Sequence, residues 1–189
     1  MGGLLICFAT AFVVWQQWEP SNNAVPHAAG DPLDSLNGVV VFYNAGIGNV
    51  SGRNVVDGYN VGLKYQCVEF VKRYYLEHYS HRMPNSYGHA KDFFSARIAD
   101  GDINPDRGLL QYTNGSKTVP EVGDLVVLDG WKGNPYGHVA IISANHNDHR
   151  PLLSVKIMSF SGVPQKKNAG AFPLRPSPQI SKSADQHIF

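Results

Sequence analysis

The sequence contains few charged residues and almost no excess of either sign. Charged side chains make up 16% of its 189 residues, below the roughly 25% typical of soluble domains. Sixteen lysines and arginines against fifteen aspartates and glutamates leave a formal net charge of +1. Proteins that bind nucleic acid by neutralising phosphates usually carry a clear basic excess. We therefore expect no nucleic-acid partner.

Cysteine is also scarce, because the chain has just two, Cys7 and Cys67. Cys7 lies in an apolar N-terminal run, so Cys67 is the single thiol of the presumed domain. One thiol excludes a disulfide framework within that domain, and a thiolate zinc site would need several ligands. We predict neither a metal site nor a cofactor. Cys67 is then either a buried, inert side chain or a reactive group.

Internal repeats are absent, which excludes solenoids and propellers. Hydrophobic residues make up 43% of the chain and aromatics 11%, enough for a packed core and against general disorder. The length fits one domain of ordinary size. With 19 glycines and 12 prolines, the composition favours short strands joined by loops over a helical bundle.

The N-terminus lacks charge. Residues 2–15 are almost entirely apolar, and no charged side chain precedes Glu19. This run is shorter than the roughly 20 residues that span a bilayer as a helix, and it resembles the apolar core of a signal peptide. We predict that residues 1–18 are a signal peptide or membrane anchor of a protein exported to the bacterial periplasm, the cell envelope or the medium. The alternative is a buried N-terminal helix.

The composition also predicts the boundaries of a linker, a domain and a C-terminal tail. Residues 19–37 are rich in proline, asparagine, alanine and glycine and are predicted to be a linker. Prolines at 173, 176 and 178 predict an end of regular structure, so that residues 176–189 form a loose tail. The working domain then covers residues 38–175, and we expect it to be a monomer.

Cys67 lies at the start of a predicted helix. Apolar and polar side chains alternate with helical period through residue 79, with Glu69, Lys72 and Arg73 on the predicted polar face. The turn-rich residues 57–62 prevent the helix from beginning earlier. Backbone N–H groups and the helix dipole at such a position stabilise a thiolate and lower a cysteine pKa. The same N–H groups can bind an oxyanion.

A cysteine nucleophile needs a base, and His138 is the best placed of eight histidines. It opens the predicted strand 138–143, after a loop at 129–137 that is rich in glycine and proline. Another strand is predicted at 125–128 and a third at 153–160, so the three form an antiparallel meander. A histidine at the mouth of a strand can face a cleft while the strand anchors it in the core.

Four sequence blocks occur in an order and spacing that resemble one enzyme family. Residues 65–71 read Tyr-Gln-Cys-Val-Glu-Phe-Val, residues 120–126 read Pro-Glu-Val-Gly-Asp-Leu-Val, and residues 137–141 read Gly-His-Val-Ala-Ile. The fourth block lies at residues 87–93. The chain resembles the CHAP family, the cysteine, histidine-dependent amidohydrolases/peptidases, although His89 in the fourth block replaces that family's usual asparagine. Its Gln-Cys-Val-Glu-Phe form is especially similar to amidase domains of the glutathionylspermidine synthetase/amidase type.

The resemblance covers residues 60–162 and implies an α+β, papain-like fold related to NlpC/P60 proteins. In this fold, N-terminal helices pack on a small antiparallel sheet. The resemblance also implies that Cys67 is the nucleophile and that His138 is the general base and later the acid. We predict that Gln66 and Tyr65 contact the substrate or the oxyanion. For Gln66, packing at the helix start is the alternative.

The family usually supplies a third polar residue on the strand after the histidine. Ser159 or Ser161 stands at the expected place, and Asn145 is a further candidate. We predict Ser159. A serine accepts a hydrogen bond from the imidazole and fixes its tautomer, but it does not compensate an imidazolium charge as a carboxylate does.

The resemblance and the predicted export imply amide hydrolysis in peptidoglycan. The scissile bond would lie in a stem or cross-bridge peptide or be the N-acetylmuramoyl-alanine amide. A glutathionylspermidine-type amidase is the alternative if residues 2–15 are not an export signal. A further alternative is a wall- or peptide-binding module without catalysis, which the missing acidic or amide third residue suggests.

Overall fold

The computed structural model describes residues 27–146, 152–156 and 171–176, and the side chains of residues 27–144. The predicted leader at residues 1–18 and most of the predicted tail lie outside the described residues. Within the described ranges, no helix has both the length and the apolar character that crossing a membrane requires.

Two β-hairpins precede the helix that carries Cys67. Strand β1 (Pro32–Leu36) pairs with β2 (Val39–Phe42), and β3 (Arg53–Val56) pairs with β4 (Tyr59–Leu63). Helix α1 follows at Cys67–Tyr79. The described residues before α1 thus form hairpins where several N-terminal helices were expected, and β1 lies within the predicted linker. The reason is local, because residue pairs such as Asp57-Gly58, with φ of 48° and 76°, form tight hairpin turns.

A six-stranded antiparallel sheet forms the second layer. A 3₁₀ turn at Ala90–Phe93 lies between α1 and this sheet in the chain. The order across the sheet is β5-β6-β10-β7-β8-β9. The strands are β5 (Ile103–Asn104), β6 (Leu109–Gln111), β7 (Leu125–Leu128), β8 (His138–His146), β9 (Leu152–Lys156) and β10 (Ala171–Pro176).

The predicted meander is confirmed, because β7, β8 and β9 are antiparallel neighbours. The prediction that prolines end regular structure near residue 173 is wrong, since β10 pairs with both β6 and β7. Pro176 is the last residue of the strand, a position that tolerates a missing N–H. Pro173 lies inside the strand opposite Val126 of β7, one residue before the pairing with β6 begins. In the described residues, one helix and several antiparallel strand pairs are compatible with the predicted α+β class.

The core lies between α1 and the sheet. On the predicted apolar face of the helix, Val71 and Tyr75 are buried and Val68 and Tyr79 are half-buried. The hydroxyl of Tyr75 donates a 2.9 Å hydrogen bond to the Gly123 carbonyl in the turn before β7. This contact ties the middle of the helix to the sheet. Other core side chains include Phe70, Val71, Tyr74, Phe93, Leu109, Leu125 and Ile141.

The predicted polar face of α1 is buried as well. Glu69 forms a 2.8 Å ion pair with Arg73, and Arg73 donates to the Val40 carbonyl of β2. Lys72 donates to the carbonyls of Asn60 and Ser86. The hairpins cover this face, and each buried charge has polar partners that offset the cost of burial.

Candidate active site

A cavity of about 490 Å³ opens beside the first turn of α1. Its walls come from the start of the helix, hairpin β3-β4, and three loops at residues 47–50, 86–90 and 134–137. Cys67 and His138, 71 positions apart in the chain, both line it. Other lining residues are Arg53, Asn60, Gly62, Leu63, Gln66, Val68, Ser86, Tyr87, His89, Asn134 and Tyr136.

Cys67 is the first residue of α1, as predicted, and is 8% exposed. The backbone N–H groups of Val139, Val68 and Cys67 itself hydrogen-bond the sulfur and favour the thiolate. Burial has the larger effect and raises the pKa of the Cys67 thiol above its ordinary value. The lowered pKa expected from the helix start is therefore wrong, because burial of the thiol outweighs the effect of the N–H groups.

His138 is the first residue of β8 and pairs with Leu128 of β7. It is 8% exposed, and burial lowers the pKa of its imidazole from 6.5 to about 4. Its neighbour Val139 provides one of the N–H groups on the Cys67 sulfur, so the start of β8 contacts the start of α1. Near neutral pH, both the thiol and the imidazole are uncharged. A neutral imidazole can accept a proton.

The turn before His138 requires glycine at position 137. Gly137 has φ of +73°, and a Cβ there would lie 2.5 Å from the Leu128 carbonyl oxygen. The side-chain amide of Asn134 donates a 2.8 Å hydrogen bond to the Gly137 carbonyl. The loop and the adjacent strand thus fix where the histidine enters the cavity.

Gly137→Ala is expected to destabilise the protein by about 2 kcal/mol or more, since it adds a backbone clash to an unfavourable φ. Gly58→Ala is the matched control, because Gly58 has φ of +76° and no atom within 4 Å of an added Cβ. That variant should lose about 1 kcal/mol. Urea unfolding measures both, and equal losses would contradict the packing argument.

Gln66 and Tyr65 occupy different places. Gln66 lines the cavity, and its side-chain amide donates to the carbonyls of Asn49, at 2.7 Å, and Ile47, at 3.2 Å. It thereby holds the loop at residues 47–50 against the helix start. Tyr65 is not among the lining residues. Its ring packs on Phe42 with 5.3 Å between centroids.

The candidates for the third polar residue are not placed. Ser159 and Ser161 lie outside the described residues. Asn145 is in β8 opposite Leu153, but its side chain lies outside the described part. The catalytic roles of Cys67, His138 and Ser159 stay predictions, although the first two share one cavity.

Sequence reasoning missed several cavity residues. Arg53 lies on β3, and no local motif marks it. Tyr136 and Asn134 come from the loop before His138, where their proximity to a candidate base was a usable signal. Tyr136 packs on the His89 ring with 4.8 Å between centroids. Together these side chains add polar and aromatic groups to the cavity that Cys67 lines.

Comparison with known protein families assigns residues 57–158 to the CHAP domain. The match covers more than half of the chain, which therefore belongs to the CHAP domain family, a family of amidohydrolases. This confirms the resemblance read from the sequence blocks.

The chain is also similar to particular curated enzymes. The chain is 35% identical over 115 residues to the bifunctional glutathionylspermidine synthetase/amidase of Escherichia coli (strain K12), and equally to that of Shigella flexneri. It is 28% identical over 97 residues to the trypanothione synthetase of Crithidia fasciculata. These alignments cover 60% and 51% of this chain, but 18% and 15% of the respective relatives. The chain thus spans less than a fifth of the curated relatives that it matches.

Proposed function

We propose that this protein is a cysteine amidohydrolase with Cys67 as nucleophile and His138 as general base and acid. One observation carries the proposal: a cysteine at the first turn of α1 and a histidine at the start of β8 line the same cavity. A helix-borne cysteine packed on an antiparallel sheet that presents a histidine also supports the papain-like assignment.

The reaction begins with a proton transfer. As the Cys67 sulfur attacks the amide carbonyl carbon, His138 accepts the thiol proton and the carbonyl π electrons move to oxygen. Backbone N–H groups at the start of α1 stabilise the resulting oxyanion. The neutral resting pair suits this order, because thiolate forms only as the substrate is attacked.

Release of the amine follows. The oxyanion re-forms the carbonyl, the C–N bond breaks, and the His138 imidazolium protonates the departing nitrogen. The acyl group stays on sulfur as a thioester. Water then attacks the thioester carbonyl carbon while His138 accepts one of its protons. The C–S bond breaks, the His138 imidazolium returns that proton to the Cys67 sulfur, and the carboxylic acid leaves. The residue that orients the imidazole is proposed to be Ser159, with Ser161 and Asn145 as alternatives.

The proposed substrate is an amide of bacterial peptidoglycan, and the protein is proposed to be exported, with residues 1–18 as a signal peptide or membrane anchor. The apolar run at residues 2–15 motivates this choice. A glutathionylspermidine-type amidase is the second candidate, which the 35% identity to the E. coli synthetase/amidase favours.

Parallel digestion tests both substrates. Purified peptidoglycan and glutathionylspermidine are each incubated with wild type and Cys67→Ala, and the released products are identified by mass spectrometry. New amino groups in peptidoglycan support the first candidate, and released spermidine supports the second. No product from either, together with retained wall binding by both variants, would favour a binding module without catalysis.

A further inference from the structure

Arg53, a solvent-exposed arginine, gives a positive charge to the cavity that the proposed nucleophile also lines. It lies on β3, and its Nη1 donates a 2.8 Å hydrogen bond to the Asn60 side-chain oxygen. Asn60 in turn donates to the Ser86 carbonyl at 2.8 Å. The guanidinium carbon lies 6.0 Å from the centre of the Tyr87 ring, which is another cavity residue. These contacts hold the arginine head at the cavity wall.

No acidic side chain balances this charge in the part of the chain that the structure describes. Among those residues, the cavity lining contains no aspartate or glutamate, and no carboxylate forms an ion pair with Arg53. The neighbouring Asp57 pairs with Arg82 at 3.3 Å instead. An arginine fork at a cavity wall is suited to planar recognition of a carboxylate.

Two buried cations behind the wall strengthen the positive potential. Lys72 donates a 2.7 Å hydrogen bond to the Ser86 carbonyl, and Arg107 donates to the Asn85 carbonyl at 2.7 Å. Both are about 1% exposed. Burial, followed by the charges of Arg107 and Arg53, lowers the pKa of Lys72 to about 8. The three cations therefore repel one another. Asp106 and Asp92 offset part of the Arg107 charge, and an anion at the wall would relieve the repulsion that remains.

We propose that Arg53 binds a carboxylate of the substrate and so selects amides of acidic peptides over neutral or cationic ones. This inference rests on the proposed amide hydrolysis at the same cavity. The carboxylate would belong to a part of the substrate beside the scissile bond, while the carbonyl carbon reaches Cys67. Both candidate substrates offer such a group: the α-carboxylate of a γ-glutamyl residue in glutathionyl amides, or that of isoglutamate in a peptidoglycan stem peptide.

Matched substrate pairs test the proposal. One pair is a γ-glutamyl-cysteinyl-glycine amide with its glutamyl α-carboxylate free or converted to a carboxamide. The other is a stem peptide with D-isoglutamate or D-isoglutamine. We expect wild type to prefer the acidic member of at least one pair by about 10- to 100-fold in kcat/KM, the range for a hydrogen bond to a charged group. The pair that responds identifies the source of the carboxylate.

Variants separate recognition from folding. Arg53→Gln should lose the preference for the acidic substrate, because kcat/KM falls only for the acidic member of the pair. Arg53→Lys should keep part of this preference. Arg82→Gln removes the same charge from an exposed arginine that does not line the cavity, and it should keep the full preference. Equal slowing of both members by Arg53→Gln, or no preference in wild type, would overturn the proposal.

A binding measurement keeps this test independent of the chemistry. If wild type hydrolyses no member of either pair, the proposed function fails. Calorimetric binding of the same peptides to Cys67→Ala then tests whether Arg53 recognises a carboxylate. Preference for the acidic peptides that disappears in Cys67→Ala/Arg53→Gln supports carboxylate recognition. Equal binding of acidic and amidated peptides to Cys67→Ala refutes it.

Discussion

Cys67→Ala is expected to lower kcat for amide hydrolysis by about 10⁴-fold or more, because alanine supplies no nucleophile and no thioester can form. The change removes only a sulfur from a side chain that is 8% exposed. The fold and substrate binding should therefore persist. Steady-state kinetics on the hydrolysed substrate measure the loss, and circular dichroism confirms the fold.

The matched control is Cys7→Ser, which replaces the other cysteine in the sequence. It should keep wild-type activity, and one iodoacetamide adduct per chain should then abolish turnover. Because burial raises the pKa of Cys67, the labelling rate should climb with pH beyond 9. A labelling rate that stops rising below pH 7 would instead indicate a thiolate-imidazolium pair. More than a few per cent residual activity in Cys67→Ala would exclude Cys67 as the nucleophile.

His138→Gln is expected to remove both the general base and a pH dependence of folding stability. Burial holds the folded-state pKa of His138 at about 4, against 6.5 when exposed. Between these values the unfolded chain binds more protons, so stability falls as pH falls from 6.5 to 4. The loss from this residue amounts to about 3 kcal/mol. The variant should lack that part of the decline.

Urea unfolding at several pH values between 4 and 7 measures this decline without any substrate. The comparison uses slopes against pH, because the variant also changes packing. His27→Gln is the control, since His27 is an exposed histidine away from the cavity. It should keep the wild-type slope. Identical slopes for His138→Gln and wild type would show that the imidazole is not buried in its neutral form.

Local patterns predicted the elements that carry the proposed chemistry. Turn-rich residues before a helical period placed Cys67 at a helix start, and the β7-β8-β9 meander followed from short apolar runs separated by turn residues. The glycine before His138 has a steric reason that the sequence could only hint at. Its Cβ would meet the Leu128 carbonyl, which belongs to the neighbouring strand.

Other features of the fold depend on packing between segments that are distant in sequence. Glu69, Lys72 and Arg73 have the helical spacing of a solvated face, yet they are buried, because hairpins from earlier in the chain cover them. The strand at Ala171–Pro176 inserts between β6 and β7 from far along the chain. Single-sequence periodicity reports which face is polar, but not what another segment places over it.

The amino-acid order alone determined which residues are chemically suited to amide hydrolysis and which short elements carry them, since turn chemistry and hydrophobic period act over neighbouring residues. The tertiary structure decided that Cys67 and His138 share a cavity, that both are desolvated, and that Arg53 joins them. Desolvation and proximity depend on segments distant in sequence, and these set the pKa of each group and the charge that a substrate meets.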